Sequence, residues 1–185
     1  MLDSHNSATE SITEVVQCLT FKLDTEVFAI DISKVREVLE FSSVTKVPQT
    51  PDFMCGVINL RGSVVPVVDL RLKFGMVEAQ KTVDTCIIIA EVTLDGETTV
   101  IGSLVDSVQE VYEFESSQIE PAPRIGTNLN TEFIWGMGKR IGEFIIILDI
   151  DKVFSSDEFS VMQQAEVYAP HSPDASESTP ESSGT

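Results

Sequence analysis

The sequence predicts an all-β fold made of two small, similar barrels, and three observations carry that prediction. The chain repeats itself. Short runs rich in β-branched residues follow one another closely, with Gly or Asp at the joints. Helical spacing is confined to short stretches, the longest near the C-terminal end.

The repeat is direct. Glu37-Val38-Leu39-Glu40-Phe41 is answered by Glu110-Val111-Tyr112-Glu113-Phe114, and Pro48 by Pro121 in the same register. Backwards, Val27, Ile32 and Val35 meet Val100, Val105 and Val108. Forwards, Gly56-x5-Gly62-x6-Asp69 meets Gly136-x5-Gly142-x6-Asp149, at a larger offset because the second copy is longer before this point. A duplicated unit of about 70 residues implies two like folds side by side. A barrel of that size buries too little surface to be secure alone, so the copies are expected to share an apolar seam.

Residues 1–14 read as a flexible lead. Val15 to Leu23 alternates as a strand, with Val15, Gln17, Leu19, Phe21 and Leu23 on one side. Asp24-Thr25 turns the chain, and Glu26 to Ile32 returns as a second strand. Ser33 is placed to cap a short helix, Lys34 to Leu39. Val44 to Val47 reads as a strand ended by Pro48. Met54 to Leu60 and Ser63 to Leu70 form a hairpin turning at Arg61-Gly62, where Gly62 supplies a positive φ. Pro66 inside the second strand points to an edge or a bulge. The second copy opens near Thr82. Asp84 to Leu94 and Glu97 to Leu104 form a hairpin about Asp95-Gly96. Asp106 or Ser107 caps a short turn running to Val111. Arg124 to Thr131 is an insertion rich in Gly, Asn and Thr. Phe133 to Gly136 and Glu143 to Ile150 close the second copy, with Gly136-Met137-Gly138-Lys139 as a hairpin turn. Asp151 to Met162 reads as a terminal helix, interrupted near Ser155. The expected division is 15–82 for the first barrel and 83–154 for the second, open to an exchange of strands. A terminal helix at 155–164 follows, then a disordered Ser/Pro/acid tail at 165–185.

Charge excludes several classes of function. The net charge is −18, and neither residues 1–16 nor 155–185 contain Lys or Arg. An acidic body has no electrostatic attraction for nucleic-acid phosphate and is repelled by anionic lipid. No apolar run reaches the length of a membrane span. Three isolated cysteines, Cys18, Cys55 and Cys86, suit a reducing cytoplasm and form no metal or redox motif.

The catalytic inventory is thin. Both histidines, His5 and His171, lie in the expected tails, so Ser-His-Asp and Cys-His chemistry and histidine-bearing zinc sites have no ligands in the body. Gly136-Met137-Gly138-Lys139 precedes a strand and not a helix, which fails the phosphate-loop context. Asp69 and Asp149 are either a pair of catalytic carboxylates or caps at strand–helix junctions repeated with the fold, and the cap reading is favoured because nothing in the sequence marks a cleft. No enzyme, cofactor or metal is expected. What remains is surface. Arg61, at the tip of an apolar hairpin, is either a solvated turn residue or an interface anchor. Val35 and Val108 are either core or the lining of a seam that could take an apolar helix.

Gly56 through Arg71 (GVINLRGSVVPVVDLR) closely resembles the signature of the CheW family of bacterial chemotaxis coupling proteins. Ile30-Asp31-Ile32-x-x-Val35-x-Glu37-Val38, Pro48-x-x-Pro51-x-Phe53, Pro121-x-Pro123 and Gly136-Met137-Gly138-Lys139 resemble it too, over roughly residues 15–160. The resemblance implies two pseudo-symmetric five-stranded SH3-like barrels. It implies a non-enzymatic adaptor that binds the cytoplasmic tip of methyl-accepting chemoreceptors and the regulatory domain of the histidine kinase CheA. Such a protein would be cytoplasmic, recruited to receptor arrays, and a monomer in isolation. Carried over by position, Val35, Glu37, Arg61, Val108 and Val111 fall at receptor-contact positions. Phe41, Val44, Val47, Val57 and Val65 fall on the expected kinase-facing surface.

Overall fold

The computed structural model describes residues 14–122 and 131–168, with backbone only for 165–168. The expected lead up to residue 13, the insertion at 124–130 and the tail beyond 168 lie outside the described residues. Among the described residues, eleven strands form two sheets. They are β1 (Val15–Leu23), β2 (Glu26–Asp31), β3 (Val35–Glu40), β4 (Met54–Leu60), β5 (Ser63–Asp69), β6 (Cys86–Leu94), β7 (Glu97–Val105), β8 (Ser107–Glu115), β9 (Ile119–Glu120), β10 (Ile134–Arg140) and β11 (Glu143–Leu148). The helices are α1 (Leu70–Lys73), α2 (Ile150–Val153) and α3 (Ser156–Tyr168). Phe154 and Ser155 separate the last two, as the sequence suggested, and α3 runs past the expected tail boundary at 165.

The strands are not shared out one copy to a sheet. One sheet runs β8-β1-β2-β11-β10-β9, so the first copy's opening hairpin is filled in by strands of the second. The other runs β3-β6-β7-β5-β4, so the second copy's opening hairpin sits among strands of the first. The same two joints recur in each. Strands β2 and β11 pair in parallel, as do β7 and β5, while β8 joins β1 as β3 joins β6. The sheets therefore cut across the sequence division at 82/83, and each is completed by an exchanged hairpin.

Alternating side chains feed three cores. Cys18, Val27, Ala29, Phe114, Ile145 and Ile147 fill the first sheet's barrel. Val65, Val67, Ile87, Ile89 and Leu104 fill the second. The opposite faces of the same strands meet at the seam, where Leu19, Phe21, Phe28, Ile30, Val68, Ile88 and Ile101 pack with Phe154, Phe159 and Met162. A run of rings, Phe21, Phe28, Phe74 and Phe133, crosses this seam with successive centroids 5.9, 5.9 and 6.0 Å apart. Lys73 holds α3 down: its ammonium lies 2.8 Å from Glu158 and over the rings of Phe53 and Phe133.

Several local expectations change. Lys34–Leu39 is not a helix. Asp31, not Ser33, caps a single 3-10 turn at Ile32–Lys34, and β3 follows. The turn expected from Asp106 or Ser107 to Val111 is the strand β8. Both misreadings have one cause. Each strand carries a β-bulge. On β3, Val35 and Glu37 face Ala90 and Ile89, which are adjacent. On β8, Gln109 and Glu110 oppose the single residue Thr20. The extra residue puts apolar side chains at Val35, Val38 and Leu39, and at Val108, Val111 and Tyr112, a spacing that mimics a helical face.

Val44–Val47 is not a strand but a single bridge, Thr45 to Val57. It lies against Gly56, where a Cβ would stand 2.1 Å from the Thr45 carbonyl oxygen. Pro66 is in an internal strand, not at an edge. Val57 spends both its backbone groups on Thr45, so the Val57–Pro66 pair needs no proline N–H, and the ladder to β7 begins only at Val67. Gly136 to Lys139 is strand interior, and the turn falls at Ile141-Gly142. Asp69 and Asp149 do cap helices, accepting from the Arg71 and Asp151 amides at 2.9 and 3.2 Å.

Candidate partner-docking surface

Arg61 and Gly62 have φ of 50° and 87°, the pairing of a tight hairpin turn that matches strand twist. The Asn59 side-chain oxygen accepts the Gly62 amide at 2.9 Å and fixes that turn. It aims the Arg61 guanidinium at β3, where its two terminal nitrogens donate to the two oxygens of Glu37 at 2.7 and 3.0 Å. This fork-to-fork geometry is the most directional ion pair side chains make. Hydrogen bonding from Arg61 holds the Glu37 carboxyl below its usual range, and Glu37 raises the guanidinium in turn.

The position of this pair explains its purpose. β3 and β4 are the two ends of their sheet, with three strands between them. A side chain at the end of β4 can reach β3 only because the sheet has curled until its edges face. The ion pair therefore spans the barrel mouth where no ladder does. A hollow lies beside it, lined by Arg36, Leu60, Ser63 and Val100, with Val65 at its floor. Arg36 itself is tied across to Glu91.

The second copy repeats the device with different residues. Glu110 on β8 is the counterpart of Glu37. Arg140 at the end of β10 reaches it at 3.2 Å, pairs also with Glu143, and stacks over Tyr112 at 5.7 Å. Here the link runs from the end strand β8 to β10, which lies one strand in from the other end of the curled sheet. Thr20 secures β8 at the bulge, its hydroxyl donating to the Glu110 carbonyl at 2.7 Å and accepting the Glu110 amide at 3.1 Å.

The bulges decide what faces the seam. Val108 and Val111 pair with Phe21 and Leu19, so both project on the seam side of β8. Val35 and Val38 pair with Ala90 and Ile88 in the same way. Val35 and Val108 are partly buried against the seam core, while Val38 and Val111 stand 40% and 50% exposed. Val35 and Val108 are thus core at one end and surface at the other. Val38 was missed in the sequence, although its counterpart Val111 was identified and the repeat equates the two.

The residues expected to face the kinase divide. Phe41 and Val44 are partly buried on the second sheet's core, and Val47 on the seam. All three line a hollow with Lys46, Cys55 and Lys81, and the Lys81 ammonium lies 5.7 Å from the Phe41 ring centroid. Val57 and Val65 are 4% and 3% exposed and cannot touch a partner directly. Val57 packs into the seam core and Val65 into the second sheet's core, on opposite faces of the hairpin, and only towards its tip do Asn59 and Ser63 become exposed. Cys55 is half-buried, and burial pushes its thiol up to about 11, so it is protonated and a poor nucleophile at neutral pH. Burial likewise raises Cys18 to about 12. No helix among the described residues is long and apolar enough to cross a membrane.

Comparison with known proteins follows this geometry. Residues 17–158 match the family model of the CheW-like domain. The chemotaxis protein CheW of Klebsiella aerogenes is 38% identical over 144 residues, covering 78% of this chain and 84% of that protein. The CheW protein of Thermotoga maritima is 36% identical over 140 residues, covering 74% and 86% respectively. Among solved structures, the scaffolding protein TtCheW of Thermoanaerobacter tengcongensis superposes with a TM-score of 0.70 at 36% identity, covering 78% of this chain and 96% of that one.

Proposed function

This chain belongs to the CheW family, and we propose on that footing that it is a chemotaxis scaffold coupling methyl-accepting receptors to the histidine kinase CheA. The observation that carries the reading is the repeated surface. Two bulged strands each present a pair of valines on the seam side, one of them exposed. A charged clamp, Glu37–Arg61, stands at the adjoining barrel mouth. An apolar helix from a receptor tip fits against valines spaced along a strand, and the clamp sets its register through charge-assisted bonds. On this reading Val35, Val38, Val108 and Val111 supply apolar contact, and Glu37 and Arg61 supply orientation. The rim of Phe41, Val44 and Val47 faces the kinase's regulatory domain, with Val57 and Val65 shaping it from beneath.

The protein performs no chemistry in this scheme. It acts by fixing the geometry in which receptor and kinase meet, so that receptor state shifts the population of active kinase. It works in the cytoplasm as a monomer until receptor arrays recruit it.

The test is reconstitution with a receptor fragment and CheA from the same organism, reading kinase autophosphorylation. Wild-type chain is expected to raise or gate kinase activity only when receptor is present, and Arg61→Glu to abolish that gain. Wild-type chain that binds neither partner would end the coupling reading. An Arg61→Glu chain that couples normally would leave the function standing and remove Arg61 from the contact surface.

A further inference from the structure

The hollow beneath Trp135 is separate from both surfaces above. Trp135 is the only tryptophan of the chain. It is also the extra residue of a bulge, since Ile134 and Gly136 of β10 face Leu148 and Ile147, which are adjacent. Bulges re-aim side chains, and this one leaves a large aromatic 51% exposed. Its counterpart in the first copy is Cys55, so the ring is not a requirement of the fold. Under it lies a hollow floored by Val16, Cys18 and Ile147 and edged by Asp31 and Asp149. A second, shallower hollow adjoins it along Val15 and Ile32 and ends at Glu113.

The charge around this apolar strip has one sign. The single base on its lining, Lys34, is held by Asp151 at 2.9 Å. That hydrogen bond is the main reason its ammonium titrates above the usual range, and the charges of Asp149 and Asp31 add to the rise. Asp31 and Glu113 bond only to neutral groups, the Ser33 amide and the Gln17 side-chain amide, and neither joins an ion pair among the described residues. The chain's own ends cannot answer this charge. Neither residues 1–13 nor 169–185, which lie outside the described residues, contain a Lys or Arg to pair with these carboxylates.

We propose that the Trp135 hollow, with its Asp31 and Glu113 rim, docks a basic amphipathic segment of another protein: an apolar side chain enters beneath the indole while flanking Lys or Arg pair with the two carboxylates. Aromatic anchors in concave, acid-edged sites are where such contacts concentrate their energy. The assignment stands apart from the coupling function and does not depend on it.

Trp135 is its own reporter. The full chain is titrated with a twelve-residue peptide of Lys and Leu at helical spacing, and indole emission is followed. A saturable blue shift that weakens with salt is expected. Asp31→Asn with Glu113→Gln should raise the apparent Kd tenfold or more, while Glu26→Gln with Asp84→Asn, remote acids, should leave it within twofold. Melting curves confirm that both variants fold. An equal shift with a Glu/Leu peptide would reduce the site to apolar stickiness. Equal losses in both double variants would reduce it to diffuse charge attraction. Either result, or no shift at all, overturns the proposal.

Discussion

Gly138→Ala asks whether β10 is glycine-rich for lack of space or for backbone freedom. A Cβ on Gly138 would stand 2.4 Å from Cε1 of Phe114 and 2.8 Å from two further ring carbons. Ordinary carbon contact is about 3.5–4.0 Å, so the ring must retreat by roughly 1 Å. It has little room, being fully buried and packed at a tilt against Tyr112 with ring centroids 4.6 Å apart. Overpacking of this kind costs about 1–3 kcal/mol, and the upper half of that range fits a rigid ring. At about 2–4 °C per kcal/mol for a chain of this size, the melting temperature should fall by roughly 4–12 °C. Gly142→Ala is the contrast. It has no neighbour within 4 Å but a φ of 77°, so its cost is confined to backbone strain, about 1 kcal/mol. The decisive assay is a double-mutant cycle with Phe114→Leu, read by thermal and urea unfolding. A branched aliphatic side chain vacates the ring edge, so the pair should be less damaging than the sum of its members by about 0.5–3 kcal/mol. Strict additivity, or a wild-type melting temperature for Gly138→Ala, would refute the steric account.

Other expectations follow from the same geometry. Phe74→Ala interrupts the ring stack at the seam and should cost about 3–5 kcal/mol in urea unfolding, with α3 losing hydrogen-exchange protection first. Asp149→Ala removes the cap of α2 and should cost about 0.5–2 kcal/mol, which Asp149→Asn should largely restore. Burial alone would raise the Asp106 carboxyl, but hydrogen bonds from Arg71, Nε to Oδ1 at 2.8 Å and Nη2 to Oδ2 at 2.5 Å, and from the Asp24 amide outweigh it and hold the group below the usual range. A depressed acid contributes stability that is present above the unfolded pKa and lost as pH falls through the folded one. Acid unfolding should therefore be shallower below about pH 4 in Asp106→Asn than in wild type. Arg140→Ala should lower stability by less than about 1 kcal/mol while raising amide exchange along β8.

Hairpins and strands were the legible part. Asp95-Gly96 and Arg61-Gly62 mark turns because they tolerate positive φ, and alternation marks β1 and β4 through β7. The bulged strands were not legible, since one inserted residue converts a period of two into a local spacing of three and four. The exchange of hairpins was equally hidden: two copies with the same apolar pattern can complete their own barrels or each other's, and pattern alone does not choose. At the site, Arg61 and Glu37 were visible as charges at repeat positions, but their union required the curl of the sheet. Arg140 escaped because it sits one residue short of Arg61's counterpart, Ile141. Val57 and Val65 are buried, one in each of two cores, and a family position says nothing of burial.

The exchanged hairpins bear on what a coupling element can transmit. Had each copy closed on itself, the two barrels would meet only through side chains and could hinge about the linker near residue 82. Here the backbone passes from one barrel into the other after β2 and returns after β7, and a parallel ladder within each barrel binds strands of the two copies together. A displacement of one barrel against the other pulls on two backbone crossings and on the side chains of the shared seam, Leu19, Phe21, Phe28, Ile88 and Ile101 among them. Two crossings and a buried seam therefore oppose the hinging that a single linker would permit.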